Sequence, residues 1–491
     1  MTRLVVSLSI AATLMVGQRE HDHPAPEKLG TVSFPTSCKP EVQPEFNRAV
    51  ALLHSFTYQL ADEAFHRVAQ GDPGCAIAHW GSAMTHYHQL WDLPPSPKDT
   101  AAAIAELDLA DKAERASERE RGFIRAARLV FQDAATNPYS ARAVAYEAAM
   151  RQLAAAYPND VETKVFYALA LISNASPSDR EHRRQKQAAD LLEPLFRAFP
   201  DHPGVPHYLI HACDNQEMAA RGLVAARVYA GIAPSAPHAL HMPSHIFTRL
   251  GLWDDSIRSN LAARSAAHQQ GDTGEELHAM DYLVYAYLQL GRDEEAAQVV
   301  QQVKAMQNLN VKDFKIGYAA TAIPIRYVVE RGRWKDAQDV VNPSEGAQPH
   351  VVAIAVWARG LGFARSGRSQ EADRESETLL HLEDQLRAAG NLYWATQVSV
   401  MRREVAAWSA QAANQTEKAA SILSRAADDE DGIEKLPVTP GPIVPARQQL
   451  GELLLAQGNA VAAANAFQTA VASAPGRRGV LQGQAQAAHA H

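Results

Sequence analysis

The chain has 491 residues, of which 46% are hydrophobic and 7% aromatic, and a formal net charge of −8. That length exceeds what one compact core usually serves, so several domains or a repeat array are expected. The mild acidity and the lack of a basic stripe exclude a nucleic-acid footprint, and no stretch after the N-terminus approaches the ~20 apolar residues of a spanning helix.

Met1, Thr2 and Arg3 lead into an apolar run from Leu4 to Val16. A short positive start followed by such a run is the pattern of a secretory signal peptide, read here over residues 1–17. It predicts a periplasmic or secreted protein with no membrane span after signal removal. Residues 18–40 are polar and Pro-rich, and read as a flexible lead-in. Of the three cysteines, none forms a C-x-x-C pair. Cys38 and Cys75 are able to pair if the chain is exported, whereas Cys213 reads as a small buried hydrophobe.

From residue 41 onward the text is almost continuously helical, in amphipathic segments of about 12–18 residues. The clearest unit is the last, with Leu450, Gly451, Leu454, Gly458, Ala463, Phe467, Ala470 and Pro475. Small residues fall where two helices must approach, and a proline ends the second helix. Earlier copies are marked by Ala61, Phe65 and Pro73, by Ala188, Leu192 and Pro200, and by Gly222, Ala226, Tyr229 and Pro234. Gly291 with Ala296, Gly332 with Ala337, and Gly367 with Ala372 mark three more turns. This pattern resembles the tetratricopeptide repeat (TPR). The resemblance implies an all-α protein, a right-handed α-solenoid of stacked helix–turn–helix units with a concave groove lined by each unit's first helix. Residues 41–160 are then N-terminal repeats with irregular helices, and 161–430 the central repeats. Residues 431–446 read as a Pro-rich linker, 447–477 as the last repeat and 478–491 as a disordered tail.

The chemistry of the sequence concentrates in its histidines. His207 and His211 are four apart, as are His241 and His245, so each pair shares one helix face. The second pair repeats the first after 34 residues, the period of such a hairpin repeat. On the repeat pattern, His238, Asp214 and Arg249 face the same groove, and the next unit adds His278, Asp281 and Tyr285. Facing imidazoles from neighbouring helices can converge on an ion. His207, His211, His241, His245, His278 and Asp281 are therefore candidate metal ligands. Imidazoles suit zinc, copper or nickel, and a carboxylate admits iron or manganese. Asp214, His238, Arg249 and Tyr285 are assigned to the surrounding shell or groove, as are His54 and His88, themselves 34 residues apart. More than four candidate ligands leave room for two ions. Against this stands a plainer reading, in which the imidazoles bond one another or line a peptide groove. His21, His23, His489 and His491 belong to solvated tails, and the acidic runs at 294–295 and 428–431 read as solvated helix ends.

The chain has no H-E-x-x-H, no G-x-x-x-x-G-K-[ST], no G-x-S-x-G and no Gly-rich dinucleotide loop, which weighs against phosphoryl transfer, serine hydrolysis and hydride transfer. The expectation is an exported binding protein whose groove holds a transition metal, with a peptide, protein or small ligand as partner. Two rivals are a hydrolase or oxidoreductase using the same site, with Asp214 or Asp281 as general base, and a metal-free scaffold for protein partners.

Overall fold

The structure is a computed structural model describing residues 27–91 and 93–490. The expected signal segment 1–17, His21, His23 and His491 lie outside the described residues. Helices follow one another throughout, from Gln43–His54 to Arg478–His489, and no β-strand occurs among the described residues. Antiparallel pairs recur: Val161–Ser173 with Arg183–Ala198, Gly204–Cys213 with Ala219–Ile232, Thr273–Gln289 with Asp293–Ala305, Ala446–Ala456 with Ala460–Ser473. The marker residues sit where the pairs touch. Ala61, Phe65, Ala188, Leu192, Tyr229, Ala463 and Phe467 are fully buried. A Cβ at Gly451 would lie 2.6 Å from the Phe467 ring, so only glycine lets these two helices approach. Gly458, with φ of 76°, closes the turn between them in the left-handed region that glycine adopts without strain.

Three segments differ from their sequence reading. The end of the lead-in is packed. Leu29, Val32 and Phe34 are buried, and Phe34 meets Phe46 and Phe123 at 5.2 Å each. Three apolar residues in a polar stretch suffice to anchor it. The tail is also ordered, as helix Arg478–His489, whose Val480 and Ala487 pack with Phe467 in one apolar cluster.

The largest difference concerns the Pro-rich break. Residues 432–445 run without helix between Thr416–Asp431 and Ala446–Ala456, yet Val438, Thr439, Ile443 and Val444 are buried. Proline removes N–H donors and stops a helix, leaving carbonyls to be satisfied by other groups. Here the Tyr282 hydroxyl donates to the Thr439 carbonyl at 3.2 Å, Arg326 to Pro442 at 3.4 Å, and Arg477 to Ile443 at 2.9 Å. Residues 432–445 are a strap laid over the central helices. Cys38 and Cys75 are joined by a disulfide that ties the packed lead-in to the start of helix Ala76–Thr85.

Beside the strap lies a cavity of about 160 Å³ lined by Trp357, Tyr393, Trp394, Glu404 and Glu430 among others. Burial pushes the Glu430 carboxyl up to about 7, with Asp431 adding to the rise and Arg477 and Arg447 opposing it. Burial raises Glu404 too, with Glu430 as the second cause. Glu430 is therefore no solvated helix end. A carboxyl with a raised folded-state value stabilises the fold below its unfolded value, and that contribution is lost as pH rises through the folded value. Between about pH 4.5 and 7 the wild-type denaturation midpoint falls relative to that of Glu430→Gln, and a constant difference between the two across that window would refute the assignment.

Candidate metal centre

Six histidines converge inside the central repeats. His207 and His211 come from helix Gly204–Cys213. His238 and His241 lie on the short helix Pro237–His241, and His245 on Pro243–Arg249, the two meeting at Met242 where Pro243 interrupts the run. His278 lies on Thr273–Gln289. All six are buried. Their ligand atoms close into two sets, His207, His211 and His238 in one and His241, His245 and His278 in the other, with every ligand atom of a set within 4.8 Å of the rest. The sets abut, with the His211 and His245 rings 5.8 Å apart.

The outer ring nitrogens define the tautomers. His207 Nδ1 lies 2.5 Å from the His54 carbonyl, and His245 Nδ1 lies 2.9 Å from Asp214 Oδ2. A carbonyl and a carboxylate only accept, so both Nδ1 atoms carry the hydrogen. His241 Nδ1 lies 2.6 Å from Asn260 Oδ1, the amide nitrogen of Asn260 being engaged with the Ser256 carbonyl at 2.8 Å. His241 too is protonated on Nδ1. Hence the Nε2 atoms of His241 and His245, 3.0 Å apart, present lone pairs to each other. The Nε2 atoms of His207 and His211 stand 3.1 Å apart, but there no outer partner fixes the His211 tautomer, so its Nε2–H is able to donate to His207. Buried His211 Nδ1 and His238 Nε2 have no hydrogen-bond partner.

Burial also disfavours the charged form of five of these rings. It holds His207, His211, His241 and His278 well below the usual imidazole range, with neighbouring imidazoles adding to the effect. His245 is lowered to about 4 by burial, against the pull of Asp214. No proton is then at hand to sit between the facing lone pairs. The spacing is one that a metal ion accepts: at M–N distances of about 2.0–2.1 Å, neighbouring ligand nitrogens stand roughly 2.8–3.4 Å apart. The outer partners are those that orient metal-bound histidines elsewhere, namely a carbonyl, an amide and carboxylates.

A third cluster behaves differently. His54 Nε2 and His202 Nε2 contact the two oxygens of Glu162 at 2.8 and 2.9 Å. His202 Nδ1 accepts from the Gly204 N–H at 3.2 Å, and His54 Nδ1 bonds the Tyr208 hydroxyl at 3.0 Å. Burial pushes Glu162 up, but the two imidazoles outweigh it and hold the carboxylate well below its usual range. Every polar atom is satisfied, so this is a brace that fixes the His54 carbonyl against His207.

The remaining candidates are dispersed. His238, expected in the surrounding shell, is a member of the first triad. Asp281, expected among the ligands, is instead paired with Arg326 at 3.2 Å, because the guanidinium of the next hairpin claims its oxygens. Tyr285 accepts from Arg477 at 3.1 Å. His88 stacks on Tyr58 with centroids 4.3 Å apart. Asp214 holds Arg249 at 2.9 Å and Lys435 of the strap at 2.8 Å as well as His245, and Arg249 reaches Glu434 at 3.0 Å. Sequence reasoning missed Glu275, which contacts His238 Nδ1 at 3.2 Å and is paired with Lys315 at 2.6 Å, and also Asn260, Glu162 and Lys435. Only His202, inside the His-rich stretch itself, offered a signal.

Hairpins crossing at small residues and stacked on their neighbours decide the architecture. The scaffold is an all-α array of stacked helical hairpins. No family model matches the chain, and no curated protein does. Among solved structures, the chain is similar to the TPR domain of P58(IPK), at 13% identity and TM-score 0.23, over 92% of this chain and 98% of that one. It is also similar to a signal-transduction ATPase with a tetratricopeptide-repeat sensor from Pyrococcus horikoshii, at 13% identity and TM-score 0.32, over 87% of this chain and 61% of that one. A third is the structure of Naa15/Naa10 bound to HypK-THB, at 10% identity and TM-score 0.25, over 86% of this chain and 62% of that one.

Proposed function

We propose that this TPR-like solenoid is an exported metalloprotein whose six buried histidines hold transition-metal ions. The facing Nε2 lone pairs of His241 and His245, 3.0 Å apart with both outer nitrogens fixed, carry the reading. A network of hydrogen-bonded histidines would place a hydrogen between them, as the brace at Glu162 does. Export is supported by Arg3 with the Leu4–Val16 run and by the Cys38–Cys75 disulfide, a bond that oxidising compartments maintain. A peptide groove is the second reading, since stacked hairpins offer long surfaces. Over the histidines, however, the strap makes the contacts that such a peptide would make.

Protein purified without chelator from its native compartment is expected to carry near-stoichiometric zinc, copper, nickel, iron or manganese, measured by elemental analysis. The double change His241→Ala with His245→Ala removes metal from the second triad, while His268→Ala, on an exposed ring, leaves the content unchanged. Protein that is metal-free as purified and takes up none of these ions on reconstitution would sink the proposal.

A further inference from the structure

Resting on that metal reading, we infer that the two triads hold a pair of copper ions, one in each, bound in the monovalent state.

The number two follows from how the ligands group. Six nitrogens on one octahedral ion would all lie within about 4.2 Å of each other, twice a 2.1 Å bond. Here they close into two sets of three. Ring centres do not part the sets, since His211 and His238 of one set stand 6.3 Å apart and His211 and His245 of different sets 5.8 Å; the grouping lies in the ligand atoms, which close within 4.8 Å only inside each set. Each triad is thus complete by itself, and the two centres are neighbours.

The oxidation state follows from charge. All six ligands are imidazoles, which bind an ion through an uncharged nitrogen, with no carboxylate or thiolate among them. Two carboxylates touch the outer nitrogens, and both are already matched by cations. Asp214 faces Arg249 and Lys435, with Glu434 completing two negative and two positive charges. Glu275 faces Lys315. The carboxylates that touch the outer nitrogens are thus matched by cations, with Asp272 and Asp313 lying farther out beside Lys315. The cost of burying charge in a dry interior rises with its square, so a divalent ion costs about four times what a monovalent one does. Imidazole suits copper, and copper alone among the candidate metals is stable as a monovalent ion. Three neutral nitrogens around a buried ion therefore favour Cu(I) over Zn(II), Ni(II), Fe(II) or Mn(II).

The test uses the full chain, produced with equal copper and zinc supplied and purified anaerobically. Elemental analysis and X-ray absorption at the copper edge are expected to give two copper ions per chain, in the monovalent state, with a nitrogen-only first shell. His211→Ala and His278→Ala each bring the count from two to one. Two zinc ions per chain would overturn the copper assignment while leaving the metal reading intact, and so would divalent copper under anaerobic conditions. One ion in the wild-type chain, or loss of both in either single variant that keeps its helical circular dichroism, would overturn the pairing. Where a variant fails to fold, the wild-type count decides. Absence of any bound metal would overturn the underlying reading itself.

Discussion

Asp281→Ala is expected to lower the stability of the chain by about 3–5 kcal/mol and, on the proposed metal reading, to leave the metal content of the folded protein unchanged. Asp281 is 1% and Arg326 0% exposed, and they meet at 3.2 Å. Removing one member of so deeply buried a pair leaves a guanidinium without its partner in a dry interior, and breaking such pairs costs that much. Arg326 would retain the Pro442 carbonyl and the Tyr285 ring, with its guanidinium 5.0 Å from the ring centroid, but no anion in contact. The denaturation midpoint reads the first half of the expectation and elemental analysis the second. Loss of metal with stability intact would return Asp281 to the coordination sphere.

Asp214→Asn has a second large effect, of the opposite character. Asp214 orients His245, holds Arg249 and anchors the strap through Lys435, so one carboxylate serves the histidine cluster and its cover together. The asparagine keeps the size but not the charge, and leaves the two cations facing Glu434 alone. Outer partners of metal-bound histidines typically contribute 10–100-fold in affinity, and a similar loss is expected here. Transfer of metal to a colorimetric chelator should accelerate, because the strap loses its inner ion pair at the same time. Lys435→Gln separates the two contributions: transfer accelerates with the equilibrium affinity nearly preserved, because His245 keeps its carboxylate. Equal losses of affinity in both variants would show that the strap, and not the ligand orientation, carries the effect.

The fold was legible because each hairpin marks its own closest approach with small residues such as Ala61 and Gly451 and its end with a proline. Those are local demands, repeated along the chain, and the structure places them where two helices touch. Four of the six converging histidines were legible because spacing by four places two rings on one face, and a fifth, His278, because the repeat pattern carries the same face into the next hairpin. Spacing gives the face, but not which of two adjacent centres a ring joins. His238, expected in the surrounding shell, converges with His207 and His211 instead, and Pro243 divides the run that carries it. Asp281 was drawn in by its place three residues after His278, and the competing partner, Arg326, lies 45 residues further on where no periodicity points. The strap was hidden by composition. Proline reports that a segment is not helical, and is silent on whether its backbone lies on the surface or under other side chains.

One consequence concerns cooperativity. In an open array each repeat touches only its neighbours, so such a protein frays from its ends and its stability adds repeat by repeat. Here Thr31 donates to the Asp201 carbonyl at 2.8 Å, and Trp253 donates to Gly476 at 3.0 Å. Fully buried Arg477 joins Tyr285 and Glu330, nearly two hundred and one hundred and fifty residues back. The first and last described segments are thereby pinned to the middle of the fold. An end repeat cannot peel away without breaking contacts next to the histidines, and the array loses the springlike independence of its units. Deleting the last hairpin would release the middle of the molecule along with its end.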